Sequence, residues 1–318
     1  MTKRANPSPI NTSKDAKLLL DLFDNFLIDC DGVIWLAETL IPKVTQFLQF
    51  LQHHNKQFAF VTNNSSKSRQ AYIEKFESLG IHGISKERIY TTGYSAVLEL
   101  QKMGIPLGSK IWVLGDSGIE DELIDEGYVA VGGSNPLLDQ SWSPKNPLLK
   151  VDPEVRAVVA GSTNEFNFMR IATTLQYLMY NNKSLPYIET NGDRNYPGPD
   201  GLTLPAGGSM VEYMAYCSGR SYIDVGKPSK TFADIIFYDT AFDRSRSIMI
   251  GDTLSSDIKF GNDAQLGNGH GTLLVLSGVT TEPELKELIA STNHQHGDDL
   301  LVPQFYCDSL TKLYELFT

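Results

Sequence analysis

Phe26-Leu27-Ile28 runs directly into Asp29-Cys30-Asp31-Gly32, and no other stretch of the chain constrains its fold as tightly. A short apolar run bounded by turn residues reads as a buried strand. Asp29 and Asp31 then leave its carboxyl end, where open α/β sheets place their ligands. Residues two apart on a strand face the same side, so both carboxylates can address one site. Gly32 lets the backbone turn just beyond them. Two like charges this close need a cation, a shared proton or solvent. A bare D-x-D-G fits a solvated turn equally well, so more distant residues must decide.

The chain on either side alternates strand and helix. Residues 15–23 suit a short amphipathic helix. Residues 39–54 carry Leu40, Ile41, Val44, Phe47, Leu48 and Leu51 at helical spacing. The apolar run 57–61 ends in Thr62-Asn63-Asn64-Ser65-Ser66, and 67–79 is helical again up to Gly80. Such alternation predicts a parallel sheet with right-handed crossovers, a doubly wound, Rossmann-like α/β core. Near Thr92-Gly93 the texture changes to a second strand–helix series. Its clearest strands are 110–114 and 157–160, and its connection 132–153 is rich in Pro, Ser and Asn. Later come helices at 207–217, 229–238, 254–262 and 282–290, a brief strand and turn at 223–228, and strands at 247–250 and 272–276. A polar loop is expected at 294–299. With 318 residues the chain suits two domains. They are a core of 15–92 and 206–318 and a smaller α/β domain over 93–205, after a flexible N-terminus at 1–14.

The formal net charge of -11 disfavours nucleic acid and anionic membrane as partners. An anionic substrate would need local positive potential against that background, which a bound cation could supply. Cys30, Cys217 and Cys307 form neither a disulfide framework nor a zinc spacing, which fits a reducing compartment. No run reaches membrane-spanning length, and residues 1–14 lack the apolar centre of a signal peptide. These features predict a soluble cytoplasmic protein, with the nucleus a further compartment.

Chemistry-bearing residues stand at four predicted strand ends: Asp29 with Asp31, Thr62-Asn63-Asn64, Lys227, and Asp252 with Ser256 and Asp257. A parallel sheet can bring such ends to one edge. The carboxylates of Asp29, Asp31 and Asp252 could supply oxygens to one hard cation such as Mg²⁺. A Thr hydroxyl and helix N-terminal amides make a phosphate cradle, and a lysine offsets remaining negative charge. Nothing in the set resembles an acyl-transfer triad.

The order D-x-D-G, T-N-N-S, G-K-P and G-D-x-x-x-S-D resembles the haloacid dehalogenase-like hydrolase superfamily. The fuller stretches Asp29-Cys30-Asp31-Gly32-Val33-Ile34-Trp35, Phe60-Val61-Thr62-Asn63-Asn64-Ser65 and Gly271-Thr272-Leu273-Leu274-Val275-Leu276-Ser277-Gly278 are similar to its eukaryotic 4-nitrophenylphosphatase branch, with phosphoglycolate and pyridoxal phosphatases. The resemblance implies that 93–205 is an inserted cap that closes over substrate and chooses the leaving group; a homodimer through that cap is one arrangement open to the chain. It implies a Mg²⁺-dependent phosphatase acting on small phosphorylated metabolites, such as 4-nitrophenyl phosphate or phosphoglycolate-like compounds, through an aspartyl phosphate. Asp29 would be the nucleophile and Asp31 the acid and base. Asp29, the Asp31 carbonyl and Asp252 would hold the metal. Ser256 and Asp257 would stand behind it, with Asp257 steadying the metal's waters. Thr62, Asn63 and Lys227 would hold phosphoryl oxygens, and Asn64 would brace the loop. By the same resemblance, Tyr196 stands where pyridoxal phosphatases have histidine, which ranks phosphoglycolate-like substrates above pyridoxal phosphate.

Other signals carry less. Gly115-Asp116-Ser117-Gly118 spells a serine-protease signature without the disulfide-bearing all-β protein it needs, and reads as a strand-to-helix turn. Gly226-Lys227-Pro228 lacks the Walker A spacing. His53, His54, His294 and His296 read as surface residues, and Trp35 as a packing residue that could line an entrance. A phospho-aspartate signalling or binding protein would also use aspartates, Thr and Lys, but it has neither the D-x-D spacing nor the insertion. A haloacid dehalogenase would have no use for Asp31.

Overall fold

Two sheets of paired strands carry the alternation read from the sequence, and a computed structural model describes them over residues 6–197, 202–292 and 299–318. The described residues divide into two units. One comprises 1–62, 73–90 and 227–318, the other 63–72 and 91–226. Each is an α/β unit whose sheet alternates in sequence with helices.

The first unit holds a seven-stranded sheet in the order Ser8–Pro9, Phe305–Cys307, Thr272–Val275, Ser247–Gly251, Asn25–Ile28, Gln57–Thr62 and Ile89–Thr91. Asn25–Ile28 lies between Ser247–Gly251 and Gln57–Thr62 and pairs parallel with both. The chain order reverses at this strand, so its carboxyl end is the switch point where such sheets open a crevice. All four of its residues are buried. A side chain such as Phe26 or Ile28 contributes about 1.5–3 kcal/mol on full burial, which anchors the Asp29 junction.

Several details differ from the expectations. Residues 1–14 are not all loose. Ser8–Pro9 is an edge strand paired with Phe305–Tyr306, and Ile10 is buried beside it. An edge tolerates proline, which has no N–H to give the ladder; Ser8 and Ile10 donate instead, to the carbonyls of Gln304 and Tyr306. The helix expected from residue 39 begins at Val44, because Thr39–Leu40 pairs antiparallel with Trp35–Leu36 in a hairpin. Helix 254–262 is split into a π-type turn, Leu254–Ile258, and a short α-helix, Lys259–Asp263. The polar loop at 294–299 and its histidines fall mainly outside the described residues.

The second unit has a five-stranded parallel sheet, ordered Ile223–Asp224, Tyr187–Glu189, Val155–Ala160, Lys110–Leu114 and Val129–Gly132. Its core includes Leu114, Val158, Leu178, Val211 and Met214 with the stacked pair Trp112 and Tyr177, ring centroids 4.3 Å apart. Helix Gly207–Ser218 packs here, so this unit extends past residue 205 to Gly226. The connection 132–153 contains two 3₁₀ turns, Pro136–Leu138 and Pro147–Leu149. Gly115-Asp116-Ser117-Gly118 is the turn between strand Lys110–Leu114 and helix Ser117–Asp125. Among the described residues no helix is long and apolar enough to cross a membrane.

Candidate active site

Asp29 follows the central strand directly, its N–H donating to the Ile250 carbonyl at 2.9 Å. That bond ties the first acidic motif to the strand that carries the last one. Strand Ser247–Gly251 ends at Asp252, and the π-type turn then returns Asp257 beneath it. Asp257 Oδ2 accepts the backbone N–H groups of Asp252 at 3.1 Å and Thr253 at 3.0 Å. Ser256 is half-buried in that turn, where its carbonyl accepts the Lys259 N–H. The G-D-x-x-x-S-D spacing thus has a mechanical cause: a wide turn lets the second carboxylate cap the backbone of the first.

Glycines leave room for the Asp252 carboxylate. Gly32 has a φ of +81°, and a Cβ there would lie 2.2 Å from Asp252 Oδ2. Gly278 is closer still, since an added Cβ there would lie 1.9 Å from the same oxygen. Val279 N–H donates to this oxygen at 2.7 Å, and Thr253 Oγ1 donates to Oδ1 at 3.2 Å.

Lys227 is buried among oxygens. Its Nζ donates to Asp29 Oδ1 at 2.5 Å, Asp257 Oδ1 at 2.7 Å and the Val61 carbonyl at 2.8 Å. Burial alone would depress its pKa, but Asp257 and Asp29 hold it above its ordinary value and keep it charged. For Asp29, burial outweighs the attraction of Lys227 and drives the carboxyl well up, with repulsion from Asp257 and Asp252 adding to it. Asp252 is pushed up to about 6 by burial and by Asp257.

The side chains brought together are therefore Asp29, Asp252 and Asp257, whose ligand oxygens lie within 4.8 Å of one another. The Asp31 carboxylate, expected in this trio, is absent from it. It is exposed and accepts a 2.8 Å hydrogen bond from Trp35 Nε1. Three buried carboxyl groups share the Lys227 ammonium in a poorly solvated space, so ionising all of them calls for further positive charge. Hard oxygen donors in that state fit a small divalent cation such as Mg²⁺.

Thr62 is buried at the end of strand Gln57–Thr62, while Asn63 and Asn64 fall in the second unit. The Asn63 carbonyl accepts from Thr92 Oγ1 at 3.1 Å and Asn191 Nδ2 at 3.2 Å. Asn64 Oδ1 accepts from Ser66 N at 2.9 Å and Ser66 Oγ at 2.7 Å, a local turn arrangement. Tyr196 lies in the second unit, on a hairpin of Asn195–Pro197 with Thr203–Pro205, and is 40% exposed. Sequence reasoning did not assign Trp35 to Asp31, nor Ser277 Oγ to the Gly32 carbonyl, which it meets at 2.7 Å. The indole's place four residues after Asp31 was the available signal.

Comparison with known proteins places this geometry in context. The model of the haloacid dehalogenase-like hydrolase family matches residues 26–129, and a HAD-hydrolase-like model matches 224–312. A 4-nitrophenylphosphatase of Schizosaccharomyces pombe is 35% identical over 96% of this chain and 98% of its own length. Phosphoglycolate phosphatase 2 of Arabidopsis thaliana is 38% identical over 96% and 97%. Among solved structures, a p-nitrophenyl phosphatase from Archaeoglobus fulgidus superposes with a TM-score of 0.74 at 26% identity, covering 92% of this chain and 98% of that one.

Proposed function

The chain belongs to the haloacid dehalogenase-like hydrolase family, and we propose that it hydrolyses small phosphate monoesters through the carboxylate of Asp29. The observation that carries this reading is the contact between Lys227 and Asp29 inside a cluster of buried carboxylates. A cation fixed on one carboxylate oxygen limits how the other can turn.

In the first step an Asp29 oxygen bonds to phosphorus as the bond from phosphorus to the ester oxygen breaks. Asp31 gives its proton to the departing oxygen, and the alcohol leaves. In the second step Asp31, now a carboxylate, takes a proton from water as that water attacks phosphorus. The acyl phosphate bond breaks, Asp29 is freed and inorganic phosphate is released. Lys227, on releasing one of its three present bonds, Thr62 and, next in sequence, Asn63 would hold the phosphoryl oxygens, with Asn64 bracing the loop behind them.

Mg²⁺ would be held by Asp29, Asp252 and the Asp31 carbonyl, and when bound it supplies positive charge toward the phosphoryl group. Asp257 stands behind this set, fixed by its bonds to Lys227 and to two backbone N–H groups. Asp31 suits the acid–base task because its carboxylate lies apart from the buried cluster, in reach of solvent.

The named relatives differ in substrate, 4-nitrophenyl phosphate in one and phosphoglycolate in another, so the leaving group stays a proposal about this chain. We favour small carboxylated monoesters over pyridoxal phosphate, because Tyr196 offers an aromatic face and a hydroxyl rather than an imidazole. The test of the reaction is trapping. Acid-quenched native protein incubated with labelled monoester should carry an acid-stable, hydroxylamine-labile phosphate, and Asp29→Asn should carry none. A labelled Asp29→Asn protein would rule out Asp29 as the nucleophile.

A further inference from the structure

We propose that Trp35 and Lys75 are positioning residues that hold the Asp31 carboxyl in its working orientation. This rests on the acid–base reading of Asp31 given above. Asp31 is exposed, and an exposed aspartate ordinarily samples several rotamers, which costs free energy whenever one of them must be selected. Here one rotamer is tied down. Trp35 is fully buried, and a buried indole N–H needs an acceptor. It finds Asp31 Oδ1 at 2.8 Å, leaving the other carboxyl oxygen for chemistry. The main chain closes the same loop from beneath: Gly32 N–H donates to the Trp35 carbonyl at 2.8 Å, and Ile34 N–H to the Cys30 carbonyl at 2.8 Å.

The indole is in turn fixed on its own faces. Phe76 packs against it edge-on with ring centroids 5.1 Å apart. The Lys75 ammonium lies 4.3 Å from the ring centroid and donates to the Ala37 carbonyl at 3.0 Å. Ala37 lies in the turn of the hairpin that pairs Trp35–Leu36 with Thr39–Leu40. One lysine therefore pins both the ring and the turn that carries it. A cation over an indole face also draws electron density from the ring, which strengthens its N–H as a donor. The relay runs from Lys75 through Trp35 to Asp31, and its product is geometry at one carboxyl group.

Proton donation matters most when the leaving oxygen is basic, so loss of positioning should depend on the leaving group, whereas loose packing should not. The experiment measures single-turnover phosphorylation of native protein, Trp35→Phe, Lys75→Met, Lys75→Arg and Asp31→Asn. The substrates run from 4-nitrophenyl phosphate to an alkyl phosphate. Trp35→Phe should lose about tenfold or more on the alkyl ester, the scale of one charge-assisted hydrogen bond, and much less on 4-nitrophenyl phosphate. Lys75→Met keeps the indole and the apolar stem, so it reports even if Trp35→Phe does not fold. It should show the same dependence with a smaller loss, and Lys75→Arg, which keeps a cation over the ring, should restore it. Equal losses on all esters, or no loss, in the variants that fold would overturn the proposal. If Asp31→Asn itself lacked the dependence, the acid–base reading would fail. If Asp31→Asn showed it and the Trp35 and Lys75 variants did not, only the positioning role would fall.

Discussion

Lys227 Nζ and Asp257 Oδ1 form an ion pair at 2.7 Å, with each side chain only 2% exposed. The pair joins the G-K-P motif to the far end of G-D-x-x-x-S-D, thirty residues on. Breaking a buried pair from one side typically costs about 3–5 kcal/mol, because the other charge is stranded. In Asp257→Asn Lys227 keeps Asp29 and the amide oxygen can still accept the Asp252 and Thr253 N–H groups, but its NH₂ then meets the Lys227 ammonium donor to donor, so a loss within that range is expected. The expected result is a clear fall in the urea midpoint together with a higher Mg²⁺ concentration for half-activation. An unchanged midpoint would mean that the pair contributes nothing net.

Metal dependence is the expectation from the charge balance of the cluster. Among the described residues, Asp29, Asp252 and Asp257 gather around the Lys227 ammonium. Activity should vanish in excess chelator and return with Mg²⁺. Calcium takes more ligands at longer distances, so it should occupy the same carboxylates, compete with Mg²⁺ and inhibit. Undiminished turnover in excess EDTA would exclude the assignment.

The central strand and the motifs at strand ends were legible in the sequence because they depend on local pattern. Phe26 to Ile28 form a continuous apolar run, and Gly32 must turn with positive φ, so the junction at Asp29 needs no distant information. What stayed hidden depends on partners far apart in the chain. One local feature also escapes: the π-type turn that sets Asp257, itself marked by its motif, beneath Asp252 is not revealed by a 3.6-residue period. The strand at Ser8–Pro9 exists because an open sheet edge lies at Phe305–Cys307, and nothing in the composition of residues 1–14 reports that edge. Trp35 reads as packing, and it does pack against Phe76; its second task is visible only once the indole N–H has a direction.

A second prediction of stability concerns Glu189 and Asp224, directly opposite each other where Tyr187–Glu189 pairs with Ile223–Asp224. Glu189 is 1% exposed, and what the Asn191 backbone N–H does for its carboxylate is outweighed by burial and by Asp224. A proton on Glu189 can be donated to Asp224, and burial together with Asp224 raises Glu189 to about 9 from an ordinary 4.5. Between those values the folded chain binds more protons than the unfolded one, so stability falls as pH rises through that window. Glu189→Gln mimics the protonated form and removes this dependence. Its advantage over native protein should grow from pH 5 to pH 9, reaching on the order of a few kcal/mol. Urea midpoints of both proteins at the two pH values test this; a constant difference would show that Glu189 ionises normally.

We propose that Tyr196 takes part in the choice of leaving group. It stands on a short hairpin opposite Leu204 and is 40% exposed. A tyrosine hydroxyl can donate to or accept from a carboxylated or hydroxylated fragment but offers no imidazole to a pyridine ring. Native protein should therefore show higher kcat/KM for phosphoglycolate than for pyridoxal phosphate, and Tyr196→His should narrow that ratio. A buried hydrogen bond lost or gained at a specificity position shifts such ratios by about tenfold, or ~1.4 kcal/mol. A native preference for pyridoxal phosphate of that size would reverse the ranking. If Tyr196→His left both constants unchanged, the side chain would not touch substrate, and other residues would have to select the leaving group.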